Sequence, residues 1–93
     1  MMTRQERIQQ VLNEVFSPET LHVTDESGRH ASHAGRHGLP AGETHYRVEM
    51  TASCLAGQSR IARSRAVHEA LAGEFQAGLH ALSLSLRAPE EAV

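Results

Sequence analysis

The sequence predicts an α/β (α+β) domain in the order α-β-β-α-β, with helices on one face of a three-stranded mixed sheet. Three observations carry this: an apolar stripe of helical period near the N-terminus, a clean alternation of period two at mid-chain, and a second helical stripe ending at a glycine before another alternating run. With 93 residues there is room for one fold unit, so a single domain over 1–93 is expected. A chain this short buries only about two-thirds of its unfolded surface, which favours a shallow surface site over a buried one.

Thr3 and Glu6 have the spacing of a capping box and start a helix over 3–16. Ile8, Val11, Leu12 and Val15 form its apolar stripe, and Ser17-Pro18 stops it. Leu21 and Val23 alternate with His22 and Thr24, a short half-buried strand that ends in Asp25-Glu26-Ser27-Gly28. From 28 to 42 the composition turns to Gly, Ala, His, Arg and Pro without apolar period, which predicts a long loop of the kind that carries function or stays disordered. Tyr46, Val48, Met50 and Ala52 alternate with His45, Arg47, Glu49 and Thr51, the second strand. Between Ser59 and Gln76, the residues Ile61, Val67, Leu71 and Phe75, with Ala66 and Ala70, predict one helix closed by Gly78. Leu82, Leu84 and Leu86 alternate with Ser83 and Ser85 as the third strand, and residues 88–93 read as an acidic tail.

Composition narrows the function. A net charge of −2 and a pI near 6.4 provide no global attraction to nucleic acid or to an anionic membrane. The one cysteine, Cys54, excludes an intramolecular disulfide and a cysteine-rich metal site built by this chain alone, and fits a reducing compartment. No run approaches the ~20 apolar residues of a membrane span. The polar opening, Met1 to Glu6, leads into a capped helix rather than a signal peptide, so the expected location is cytoplasmic. There is no GxGxxG or P-loop pattern, and one tyrosine with two phenylalanines makes a poor base-stacking platform. Nothing local assembles a nucleophile, base and acid, so the chain is not expected to be an enzyme.

The chain has seven histidines, of which His30, His33, His37 and His45 lie on or beside the long loop. Imidazole is a common borderline metal ligand, and a loop can bring two rings to one ion; a solvated histidine-rich linker is the equal alternative. His80 stands at the entry of the third strand on the parity of the leucines, as a half-buried histidine or a ligand. Arg60, Arg63 and Arg65 crowd the first turns of the second helix, against the preference of cations for helix C-termini. An anionic partner would compensate there through bidentate contacts, and a solvated charged face is the plainer reading. Cys54 reads as an inert thiol, and His22 and His68 as residues that only titrate.

Asp25-Glu26-Ser27, Gly42-Glu43-Thr44-His45-Tyr46-Arg47-Val48, the stretch from Ser59 to Leu71, and Gly78-Leu79-His80-Ala81-Leu82 together resemble the BolA family over nearly the whole chain. The resemblance implies a class II KH-like fold and a partnership with a monothiol glutaredoxin in holding, transferring or sensing a 2Fe-2S cluster, with glutathione supplied through the partner. It makes His80 the shared ligand and draws a second from the loop, His33 ranked first, His30 second and His37 third. One iron would then carry two imidazoles, similar in kind to a Rieske centre, and cluster binding would weaken as pH falls through the histidine range. Two departures stand out: Ser64 replaces the central histidine of an Arg-His-Arg motif, and Leu55 replaces a phenylalanine. The runner-up is a KH-like nucleic-acid-binding regulator of transcription in morphology or stress response, resting on Arg60, Arg63 and Arg65 but lacking a GxxG clamp. A zinc or copper carrier built on the histidine loop is a third reading, and a weak homodimer stays open.

Overall fold

The computed structural model describes residues 2–27 and 44–91. The expected loop over 28–42, with His30, His33 and His37, falls outside the described residues. Helix α1 covers Arg4–Phe16, strand β1 Thr20–Asp25 and strand β2 His45–Thr51; helix α2 covers Arg60–Ala70, helix α3 Ala72–Gln76 and strand β3 Ala81–Arg87. Short 3₁₀ turns follow β2 at Ser53–Leu55 and β3 at Pro89–Glu91.

The sheet is mixed, in the order β1-β2-β3, with β2 antiparallel to β1 and parallel to β3. Period two places Tyr46, Val48 and Met50 of β2 on one face, where all three are buried. The register completes that face in rows: Leu21, Met50 and Leu86, then Val23, Val48 and Leu84. Ile8, Leu12 and Phe16 of α1, Val67 of α2, and Leu71 and Leu55 close over it as one core. The opposite face carries His22, Glu49 and Ser85 in one row and Thr24, Arg47 and Ser83 in the next, and it is left polar.

The capping box is present as expected: Thr3 Oγ1 accepts from the Glu6 amide at 3.2 Å and Glu6 Oε1 from the Thr3 amide at 2.8 Å. Ser17 ends the helix in the left-handed conformation, φ 45°. The buried line of α1 is Arg4, Ile8, Leu12 and Phe16, an i, i+4 ridge. Each step of that ridge turns ~40° round the helix. Val15, expected in the stripe, is therefore left on its outer side and is 59% exposed, while Phe16 enters the core.

The single helix expected over 59–76 is two helices. Leu71, at φ −101° and ψ 14°, breaks it. The bend keeps Leu71 in the core and turns Glu74 toward α1, where Glu74 Oε1 accepts from Arg4 Nε at 3.0 Å and Oε2 from Arg7 Nε at 2.8 Å. Arg4 also donates to the Ala77 carbonyl at 2.8 Å, so a buried guanidinium closes the C-terminal end of α3. Gly78 then turns the chain at φ +121°, in the region where a glycine was expected. Ile61, read from the sequence as core, is 65% exposed, because no strand of the described residues lies beyond β3 to cover the first turn of α2. The acidic tail is anchored in part: Ala88 is fully buried, and Glu91 is bound to Arg63.

Leu12 is fully buried and Val15 is not. Leu12→Ala is expected to destabilise the domain by about 2–5 kcal/mol in urea denaturation, and Val15→Ala by less than about 0.5 kcal/mol.

Candidate functional site

The two ends of the long loop are clasped by one buried hydroxyl. Ser27, fully buried, accepts through Oγ from the amides of Thr44 at 2.9 Å and His45 at 3.0 Å, and donates to the His45 carbonyl at 3.4 Å. Its own amide donates to Asp25 Oδ1 at 2.8 Å. The Glu26 amide donates to the same His45 carbonyl at 2.8 Å, and Arg47 pairs with Glu26 at 3.1 Å. The loop thus leaves and re-enters the sheet at a fixed base, and His45 is the first residue of β2 on re-entry.

Because β2 and β3 run parallel, the starts of both strands lie side by side at this end of the sheet. His80, one residue before β3, donates its amide to the Thr44 carbonyl at 2.9 Å. The His45 and His80 rings meet edge to face with centroids 6.0 Å apart. His45 is half-buried, and its Nδ1 shares a 2.9 Å hydrogen bond with Thr44 Oγ1, which orients the ring. His80 is exposed rather than half-buried, standing one residue before β3 begins at Ala81.

An exposed imidazole thus stands beside an oriented one where the chain enters β2 and β3. Among the described residues no group of three or more His, Cys, Asp or Glu side chains could by itself hold a metal ion. The sequence grouped His45 with the loop but did not pair it with His80; only a parallel β2–β3 register predicts that contact.

The remaining candidates separate. Arg63 is buried, and its guanidinium is bidentate on Glu91, at 2.7 and 2.9 Å, while also donating to the carbonyls of Gln58 and Leu86. Its fork is committed to this chain. Arg60 and Arg65 are exposed. Hydrogen bonding from Arg63, helped by the Ala88 amide, lowers the Glu91 pKa from 4.5 to about 2. Cys54 is exposed, its Sγ 3.5 Å from the Phe16 carbonyl. His22 lies exposed on the polar sheet face, and His68 stacks on Phe75 at 5.3 Å.

This is a small α+β domain with a three-stranded mixed sheet and a histidine pair at the loop base. The BolA-like protein family model matches residues 12–91, and the chain belongs to that family. It is 45% identical over 91 residues to an uncharacterized protein in the cobS 5' region of a Sinorhizobium species, covering 97% of this chain and 96% of that one. Among solved structures it resembles BolA1 from Arabidopsis thaliana, at TM-score 0.88 and 33% identity over 100% of this chain and 99% of that one. It is equally similar in sequence, 33%, to the BolA domain of SufE1 from the same plant, at TM-score 0.85 over 99% of both chains. No helix of the described residues is long and apolar enough to cross a membrane.

Two outcomes test this geometry. Ser27→Ala removes the one acceptor that the Thr44 and His45 amides share, and a loss of about 1–3 kcal/mol is expected in urea denaturation. The lowered pKa of Glu91 makes its tie to Arg63 a stabilising term at neutral pH that is lost as pH falls from 4.5 toward about 2. The wild type should therefore melt above Glu91→Gln at neutral pH, and the gap should close at the acid end of that window.

Proposed function

We propose that this chain is a non-catalytic adaptor that pairs with a monothiol glutaredoxin to bind, transfer or sense a 2Fe-2S cluster. The observation that carries the reading is the His45–His80 pair at the loop base, where an exposed imidazole stands beside a ring fixed by Thr44. The described residues fall short of a closed four-coordinate site. That shortfall fits a cluster shared between two proteins, in which the partner's thiolate and glutathione take one iron and this chain's imidazoles the other. His80 is the ligand at this face. His33, then His30 and His37, would supply the second from the loop, whose two ends Ser27 holds beside His80. His45 joins them as a nearby imidazole, and its bond to Thr44 leaves Nε2 as its ligating atom.

The nucleic-acid reading has less support, since Arg63, central to the arginine cluster that suggested it, is committed to Glu91.

The test is a titration of 2Fe-2S-loaded monothiol glutaredoxin with this chain, followed by visible absorption and circular dichroism. A distinct heterodimer spectrum is expected, abolished or strongly altered by His80→Ala, with His33→Ala and His45→Ala ranking the second ligand. A spectrum that never changes on addition of the chain would reject the adaptor role.

A further inference from the structure

The far end of the sheet from the histidine pair holds a second feature. Between α2 and β3 runs an open groove of about 660 Å³, lined by Ile61, Leu84 and Leu86 and by Arg60, Arg63, Arg87 and Glu91. Three guanidinium groups face one carboxylate there, a local surplus of positive charge on a chain whose net charge is −2. Arg63 and Glu91 satisfy each other, which leaves Arg60 and Arg87 without a carboxylate among the described residues. From His80 to Leu86 the strand rises ~20 Å, so this groove is separate from the loop base.

Among the described residues, no strand pairs with the backbone on the groove side of β3. Arg87 gives its carbonyl to Ala52, and Ala81 its amide to Thr44, so both turn their polar groups toward β2 or its start. Alternation then turns the amides and carbonyls of Leu82, Leu84 and Leu86 outward, to the side where no further strand lies among the described residues. The Leu86 carbonyl is taken by Arg63 at 3.3 Å. The rest of that row is a template for an added strand.

From these observations we infer that β3 and the first turns of α2 form a docking groove for an extended acidic peptide of a partner protein, added as a strand to the edge of β3. Its main chain pairs with the outward groups of Leu82 and Leu84. Its apolar side chains lie against Leu84 and the 65% exposed Ile61, and its carboxylates reach Arg60 and Arg87. Glu91 already displays the chemistry, a carboxylate held bidentate by a guanidinium in the same groove. A polynucleotide would meet the arginines too, but the leucine edge and its unpaired amides match a peptide strand, and the wall presents no aromatic ring for a base. The inference stands independently of the cluster-adaptor reading.

The test is a titration of the ¹⁵N-labelled protein with a blocked peptide of alternating glutamate and valine, followed by amide shifts. The largest shifts are expected at Leu82, Leu84 and Leu86 and in the first turn of α2. The double change Arg60→Ala with Arg87→Ala is expected to weaken binding about tenfold without loss of fold, since both side chains are exposed. The glutamine-for-glutamate peptide should weaken to the same degree, and a peptide methylated on alternate backbone nitrogens should not bind. The proposal is overturned if the acidic peptide moves none of these amides or if the glutamine peptide binds equally well. It is equally overturned if oligothymidylate binds in the groove where the peptide does not, or if the edge pairs with a second copy of the chain and excludes peptide.

Discussion

The register of β2 between its two neighbours is the constraint on which the rest of the molecule depends. Tyr46, Val48 and Met50 face the helices, and a slip of one residue would place Arg47 and Glu49 in the core instead. The same register puts His45 at the strand start and sets it beside His80 across the parallel pairing with β3. Core and candidate site are therefore two consequences of one alignment. Ser27 reinforces it at the loop base, where one buried hydroxyl accepts from two consecutive amides.

Two ionic ties fasten the periphery to this frame. Glu74 binds Arg4 and Arg7, joining α3 to the first turns of α1, and its carboxyl is held below the usual range chiefly by the hydrogen bond from Arg7, against the opposing effect of burial. Glu91 binds Arg63 and draws the last turn against α2 and the end of β3. Arg4 and Arg63 are buried guanidiniums whose donors are met by carboxylates and backbone carbonyls together, the condition under which a charge is tolerated away from water. These ties place arginines for reasons of architecture, and they separate Arg63 from the exposed Arg60 and Arg65.

The two ends of the sheet differ in chemistry. The histidine end brings two imidazoles together, and among the described residues no group of three or more His, Cys, Asp or Glu side chains stands there to hold a metal ion. The arginine end has positive charge in excess and a strand edge that no other strand covers among the described residues. A chain this short builds one modest core and keeps its chemistry on the rim, where partners would meet it.

The sequence by itself determined the elements whose signals are local. The capping box of Thr3 and Glu6, the alternation around Val48 and the glycine at 78 each act within a few residues, and α1, β2 and the turn before β3 follow from them. Nearly all of the fold was legible in this way, whereas the interest in His80 came from the family resemblance and not from any local pattern. Tertiary structure alone decided the break at Leu71, because it answers to Arg4 and Arg7 some seventy residues earlier in the chain. It also decided the exposure of Ile61, which depends on the absence of any strand beyond β3 among the described residues, and the burial of Arg63, which depends on Glu91. The meeting of His45 with His80 belongs to the same class. Periodicity reports which face a residue takes on its own element; which elements lie side by side is set by packing between distant parts of the chain, and that is where the candidate site was made.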